Sequence, residues 1–317
     1  MPAKNPPPLT KGYLIAISAT VLWSSTAVFI RYLTETYHLP PLVLAFWRDF
    51  FVSLALGAGL WIAKRHLLRA PRSKMIFLLI YGLVLALFNG AWTVSVAFNG
   101  AAVSTVLAYS SAAFTALLGW RFLGERLDWS KLVAVSLSMT GCILVSGAYD
   151  PAAWRLNPVG ITIGLISGLA FAVYSLMGRS ASDQDLNPLT TLLYTFSFGA
   201  GFLLLFNLLT PGPGELPLAS LMWLGTQWQA WLVLLVLAVG PTIGGYGLYA
   251  ISLVYLPASV ANLIATLEPA MTAVLAYSFL SERMTGPQIA GSAIIIAGVL
   301  FLRWMESRLV TVKAAAY

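Results

Sequence analysis

The chain has 317 residues, of which 59% are hydrophobic and 9% are charged. Soluble domains carry roughly a quarter charged residues, so this composition excludes an ordinary soluble protein and indicates an integral membrane protein. The net charge of +7 does not indicate nucleic-acid binding, because the basic residues fall in short segments between apolar runs. One cysteine, Cys142, can form neither an internal disulfide nor a metal cluster.

Ten apolar runs follow one another along the chain. A helix needs about 20 apolar residues to cross the hydrocarbon core, and each run approaches that length. The first run is too long for a cleavable signal peptide, so we interpret it as a spanning helix. The sequence therefore predicts an all-α integral membrane fold, with spans at 11–34, 41–63, 75–97, 101–122, 130–148, 158–180, 188–209, 229–253, 258–280 and 286–305.

The distribution of positive charge predicts the orientation of these spans. If the N-terminus is cytoplasmic, 14 of the 18 Lys and Arg residues lie in cytoplasmic segments and three lie outside, while Arg48 lies within a helix. Membrane proteins retain Lys and Arg on the cytoplasmic side. We therefore expect a multi-pass protein of the inner membrane with cytoplasmic N- and C-termini and an outward-facing loop at 211–228.

The sequence repeats itself at an offset of 157 residues. Residues 103–126 align without a gap with residues 260–283, and Thr115 meets Thr272 in this alignment. A unit of five helices crosses the membrane an odd number of times, so a second unit must enter from the opposite side. The repeat predicts two inverted five-helix units, at 11–148 and 158–305, between cytoplasmic tails at 1–10 and 306–317.

Four features give the chain its resemblance to a known family. Two of them are motifs at the ends of the fourth and ninth spans, here called the exit motifs: Leu-Gly-Glu-Arg-Leu at 123–127 and Leu-Ser-Glu-Arg-Met at 280–284. The other two are the Glu268-Pro269-Ala270 sequence and Arg48. The chain resembles the ten-helix EamA-repeat branch of the drug/metabolite transporter superfamily, and within it most resembles bacterial aromatic amino-acid exporters. The resemblance implies export of small metabolites without nucleotide hydrolysis. Family members often carry a proline in the fourth helix, whereas here Ala112 is the counterpart of Pro269.

Ionisable groups inside the spans are costly and therefore informative. Glu268 is interpreted either as a partner for a substrate ammonium or a proton, or as a structural group beside the kink at Pro269. Arg48 and Asp49 are adjacent and do not face each other on a helix. Each is expected to need a partner elsewhere or an interface position, and helix packing or orientation is favoured over substrate contact.

Aromatic and polar residues in the middle of spans are candidates for lining a transport cavity, because aromatic rings attract ammonium groups and stack on apolar side chains. The alternative for each ring is simple helix packing. Interrupted helices at matching places of two repeats point to a transport site, so glycines and prolines in spans three, eight and nine are candidate hinges. The predicted substrate-binding residues are Trp23, Asn89, Trp92, Tyr109, Phe171, Tyr174, Tyr246, Tyr249 and Glu268, and the predicted hinge residues are Gly90, Gly240, Pro241, Gly244 and Pro269.

We expect a secondary transporter that exports neutral or aromatic amino acids by alternating access. Its expected partners are a small-molecule substrate and the lipid bilayer, without a cofactor, a metal or nucleic acid, and a monomer is compatible with the sequence. No phosphate-binding loop of the GxxxxGK[ST] type is present. The alternatives are an integral-membrane enzyme acting on lipid-linked substrates, a drug or nucleotide-sugar carrier of the same superfamily, and a channel.

Overall fold

The computed structural model describes residues 9–154, 158–209, 221–280 and 285–315, and their main regular elements are helices. The α-helices are α1 Leu9–Ser24, α2 Thr26–Thr36, α3 Pro41–Ala63, α4 Met75–Tyr109, α5 Ser111–Leu123, α6 Trp129–Ser146, α7 Pro158–Asp183, α8 Pro188–Leu209, α9 Trp228–Leu237, α10 Ile243–Tyr255, α11 Ala258–Ala265, α12 Glu268–Leu280 and α13 Gly286–Ala315.

Within the described residues, ten segments are long and apolar enough to cross a membrane, as the sequence predicts. Because ten is an even number, span 1 begins on the side of the bundle on which span 10 ends, here called the terminal side. The spans are, in order, Leu9–Thr36, Pro41–Ala63, Arg72–Ser95, Val103–Leu123, Trp129–Ser146, Pro158–Asp183, Pro188–Leu209, Trp228–Tyr255, Ala258–Leu275 and Gly286–Met305.

Spans 3 and 4 are joined by a tight reversal. Helical backbone continues through α4, yet the hydroxyl oxygens of Ser95 and Ser104 are 2.9 Å apart. Nine residues of straight helix would separate these positions by about 13.5 Å along the axis. The chain therefore turns back between them, where the sequence predicts the join between spans 75–97 and 101–122.

The two five-helix units are inverted, and the packing of span 5 against span 10 shows it. A Cβ built on Gly141 would lie 2.6 Å from the carbonyl oxygen of Gly291, and one built on Gly298 would lie 3.1 Å from that of Ala134. Residue numbers rise along one helix as they fall along the other, so the spans run antiparallel. Gly141 and Gly298 are equivalent in the repeat, as are Ala134 and Gly291, so the contact is self-complementary.

Small residues let span 6 approach span 4 closely, as a small-xxx-small stripe predicts. A Cβ on Gly164 would lie 2.6 Å from the Leu107 side chain, and one on Gly168 would lie 2.6 Å from the Leu107 carbonyl oxygen. These two positions hold the second unit against the first at the centre of the bundle. Neither tolerates a larger side chain without a shift of the helix.

Helix breaks lie at matching places in spans 4 and 9. Span 4 changes helix at Ser110, and span 9 changes at Thr266-Leu267, which the 157-residue offset places opposite Tyr109-Ser110. The break in span 4 forms without a proline, so the absence of a proline at Ala112 does not make the two halves asymmetric here. The expected matching interruption of span 3 at Asn89-Gly90 is wrong, because α4 continues through it.

Candidate functional site

A cavity of about 100 Å³ lies among spans 1, 2, 3, 4, 6, 8 and 9. Both five-helix units contribute to its wall, which combines aromatic rings with a few polar and charged groups. It therefore lies between the inverted repeats, where transport sites of this architecture occur. Its lining residues are Trp23, Thr26, Ile30, Arg48, Phe88, Asn89, Trp92, Thr105, Ala108, Tyr109, Phe171, Thr242, Tyr246 and Glu268.

Seven of the nine predicted substrate-binding residues lie on this wall: Trp23, Asn89, Trp92, Tyr109, Phe171, Tyr246 and Glu268. The other two, Tyr174 and Tyr249, stand behind it, each 1% exposed. The Tyr174 ring packs 4.7 Å from Tyr81, and the Tyr249 hydroxyl donates to Ser175 Oγ at 2.7 Å.

Aromatic rings close the cavity toward the terminal side. The Trp23 ring centre lies 4.9 Å from that of Tyr246 and 5.1 Å from that of Tyr249, and Phe171 stacks on Phe88 at 4.7 Å. We call Trp23, Phe171, Tyr246 and Tyr249 the aromatic floor. Ile30 lies about 10 Å from Trp23 along span 1, in the opposite direction, so the cavity extends away from the terminal side.

Glu268 places a carboxylate on the cavity wall. It is the first residue of α12, where the positive end of the helix dipole stabilises an anion. Its Oε2 accepts a hydrogen bond of 2.5 Å from the Tyr109 hydroxyl across the repeat interface. Among the described residues it has no basic partner within ion-pair distance. Pro269 follows in the first helical turn, where a missing N–H is tolerated.

Arg48 also lies on the cavity wall, and the expectation that it serves helix packing or orientation rather than substrate contact stays a prediction. Its side chain is 7% exposed, and its Nε lies 3.3 Å from Asp49 Oδ1. The adjacent residues therefore pair with each other, contrary to the expectation of separate partners. Asp49 Oδ2 also accepts a hydrogen bond of 3.0 Å from Asn89 Nδ2, which ties span 2 to span 3.

A buried polar network lies beneath the cavity at the broken helices. Ser111 Oγ donates to Asn262 Oδ1 at 3.0 Å, and Asn262 Nδ2 donates to Ser175 Oγ at 3.0 Å. Tyr249 completes the network through its hydrogen bond to Ser175. Four spans are thereby held in register by hydrogen bonds that stay shielded from water, and buried polar groups are stable only when they are paired in this way.

The terminal side is closed by a cap on span 9. Both carboxylate oxygens of Glu125, from the first exit motif, accept backbone N–H groups of α11: Ala258 at 2.7 Å and Ser259 at 3.2 Å. The Ser259 hydroxyl also donates to Glu125, and Lys131 Nζ donates to that hydroxyl at 2.8 Å. The second exit motif lies outside the described residues at 281–284.

Asp128 caps the first turn of α6 at the same end. It accepts 2.6 Å and 3.1 Å hydrogen bonds from Ser130 Oγ and the Lys131 backbone N–H. Partial burial acts to raise its pKa, but these bonds and the charges of Lys131 and Arg126 outweigh that effect. The pKa of Asp128 is therefore lower than that of an ordinary aspartate.

The predicted hinge residues occupy different kinds of backbone. Gly240 and Pro241 lie in a π-helical segment, Ala238–Thr242, between α9 and α10, where Thr242 Oγ1 donates to the Leu237 carbonyl at 2.8 Å. Gly244 approaches Leu22 of span 1, and Gly90 lies in the uninterrupted α4. Their role in conformational exchange stays a prediction.

Several lining residues that the sequence prediction omits lie at helical spacing from residues that it includes, whereas Arg48 lies in span 2, where it includes none. In span 1, Thr26 and Ile30 lie three and seven positions after Trp23, and in span 8, Thr242 lies four before Tyr246. Such spacings share a helix face, so they were a usable signal. The missed lining residues are Thr26, Ile30, Arg48, Phe88, Thr105, Ala108 and Thr242.

These features define a class: a ten-span membrane protein of two inverted repeats with a central aromatic cavity that holds a carboxylate and a guanidinium. The sequence pattern of the EamA-like transporter family matches residues 10–147 and 158–304. The chain belongs to this family of membrane transporters.

Relatives with assigned names are similar over nearly their whole length. A "Probable amino-acid metabolite efflux pump" of Salmonella typhimurium is 26% identical, over 91% of this chain and 93% of that protein. An "S-adenosylmethionine uptake transporter" of Rickettsia felis is 24% identical, over 96% and 97%. A solved structure titled "Crystal structure of protein" has 17% identity and a TM-score of 0.75, covering 95% of this chain and 99% of that one, which shows the shared fold.

Proposed function

We propose that this transporter exports small neutral or aromatic amino acids, or related metabolites, across the bacterial inner membrane by alternating access, with both termini cytoplasmic. The observation that carries the proposal is Glu268, a carboxylate on the cavity wall whose hydrogen-bond partner is the Tyr109 hydroxyl. A carboxylate at membrane depth is costly, and a positive partner would stabilise it. A substrate ammonium or a coupling proton would supply one.

The rest of the wall supports a small organic substrate. Aromatic rings give apolar contact area and favourable faces for cations. The efflux pump among the relatives carries an amino-acid metabolite by name, whereas the Rickettsia felis relative carries S-adenosylmethionine, so the substrate requires a direct test.

Alternating access is supported by the closure on one side. The aromatic floor and the Glu125 cap both lie between the cavity and the terminal side. If that side is cytoplasmic, the described conformation is closed toward the cytoplasm, and loading from the cytoplasm requires both closures to open. An open channel would need a continuous polar path instead.

The test is uptake of labelled amino acids into liposomes that contain the purified protein, with and without a pH gradient. The panel is alanine, threonine, leucine, phenylalanine, tryptophan and S-adenosylmethionine. We expect saturable uptake of at least one neutral amino acid and a loss of about tenfold or more in Glu268→Gln, the scale of one charge-assisted contact. Glu35→Gln, the same change outside the cavity lining, serves as the control and should match the parent. Transport of S-adenosylmethionine alone, or of nothing in the panel, would reject the amino-acid proposal.

A further inference from the structure

The cavity wall carries groups for both ends of a zwitterion. Glu268 offers an acceptor for an ammonium group, and Arg48 lies on the same wall, contributed by a different span. Tyr246 and Trp23 line the cavity with them. A ligand bound within this cavity therefore meets a fixed anion and a fixed cation in one enclosure.

Arg48 has unused hydrogen-bonding capacity. Its one hydrogen-bond partner among the described residues is Asp49, through Nε at 3.3 Å. A guanidinium has five N–H donors in a planar fork that matches a carboxylate. Nε carries one of these, so four remain for a ligand. Asp49 in turn is held by Asn89, so the guanidinium is anchored at its base, while its terminal nitrogens bond no other described residue.

Two further donors of the wall are also without a partner. Trp23 Nε1 and Thr26 Oγ1 are buried and make no hydrogen bond with any described residue. An indole N–H is a donor only, and a buried unsatisfied donor is unfavourable. Both residues line the same cavity as Arg48, so a ligand carboxylate in this cavity would offer these two groups an acceptor.

We propose that Arg48, assisted by Thr26 and Trp23, binds the substrate carboxylate, so that the cavity selects free amino acids by both ends of the zwitterion. This inference rests on the proposed function and adds a second subsite to it. Derivatives that lack the carboxylate charge, such as amides, would leave the guanidinium without its anion. Derivatives that lack the amine would place their own carboxylate in the same cavity as the Glu268 carboxylate, without an ammonium group to pair with Glu268.

The experiment compares binding of matched ligands to the purified protein in detergent. The ligands are L-phenylalanine, L-phenylalaninamide and 3-phenylpropionate, with L-threonine and L-threoninamide as a second pair. The variant is Arg48→Gln combined with Asp49→Asn, which removes the ion pair without leaving either charge alone. The control is Arg179→Gln combined with Asp183→Asn, which removes an Arg–Asp ion pair that lies outside the cavity lining.

We expect the parent to bind the amino acid about tenfold or more tightly than its amide, the size of one charge-assisted contact. The Arg48→Gln/Asp49→Asn variant should lose this preference, the Arg179→Gln/Asp183→Asn control should keep it, and Arg48→Lys should retain part of it. If the Arg48→Gln/Asp49→Asn variant does not fold, the carboxylate subsite is tested by two remaining measurements. These are the parent's preference for the acid over the amide and the change of that preference in Arg48→Lys. A parent that binds acid and amide equally, or an Arg48→Gln/Asp49→Asn variant that weakens both equally, overturns the carboxylate subsite. A parent that binds neither amino acid rejects the proposed function itself.

Discussion

The contact between span 8 and span 1 makes a sharp prediction about Gly245. An added Cβ there would lie 2.4 Å from Cδ1 and 2.5 Å from Nε1 of Trp23. These atoms belong to a rigid ring that is also held by Tyr246 and Tyr249, so the ring cannot yield by a small rotation. Gly245→Ala should therefore displace the aromatic floor or separate the two spans. Overpacking of this kind destabilises a protein by about 1–3 kcal/mol.

Gly247→Ala is the matched control in the same helix. A Cβ at Gly247 would lie 3.9 Å from Leu192 Cδ2, an ordinary contact. Alanine is favoured over glycine in a helix by about 0.5–1 kcal/mol, so this variant should match or exceed the parent. The assays are thermal unfolding in detergent and the affinity for the best amino-acid substrate. We expect both to fall in Gly245→Ala and neither in Gly247→Ala. Parent-like stability and affinity in Gly245→Ala would refute the packing assigned to Trp23.

Three further predictions concern the terminal side and the π-helical segment. Glu125→Ala removes the cap on span 9. It should accelerate maleimide labelling of the buried Cys142, whose Sγ lies 3.8 Å from the Thr266 carbonyl oxygen in the same span. An unchanged labelling rate would show that the cap does not hold this region closed. Pro241→Ala restores a backbone donor in the π-helical segment and should slow transport at near-normal expression, and parent-like flux would reduce the segment to a packing feature. Because the folded-state pKa of Asp128 is lowered, its stabilisation should be present above the ordinary aspartate pKa of about 3.9 and be lost as pH falls through the lower folded value. Asp128→Ala should lower stability by about 0.5–2 kcal/mol at pH 7 and flatten this acid dependence in thermal unfolding, whereas an identical acid profile would contradict the assignment.

The spans and their inverted pairing could be predicted because each rests on a strong requirement. Every crossing helix needs a long apolar run, and the repeat is visible as a constant offset. The matching helix breaks could not be located, because Ser110 and Thr266 carry no local signal that distinguishes them from other small polar residues in a span. The sequence instead predicts interruptions at Asn89-Gly90 in span 3 and at Pro241 in span 8, since proline and glycine are the residues that commonly interrupt helices.

The cavity could be predicted in part because aromatic residues in the middle of spans are conspicuous. Tyr174 and Tyr249 carry the same signal as Tyr246, yet they face neighbouring helices, and composition alone does not give the rotation of a helix that is apolar on every side. The sequence favours helix packing for Arg48, because adjacent charges on a helix point apart. The Nε of Arg48 nevertheless reaches Asp49, and the Arg48 side chain lines the cavity.

The central claim is that this protein carries amino acids by exposing one cavity alternately to the two sides of the membrane. The most direct measurement is uptake of labelled L-phenylalanine and L-threonine by proteoliposomes, either empty or preloaded with the same unlabelled amino acid. An alternating-access carrier that exchanges its substrate should show saturable uptake, faster into preloaded vesicles, and both properties should weaken in Glu268→Gln. Uptake that rises linearly with concentration and ignores preloading, or no uptake of either amino acid, would contradict the account.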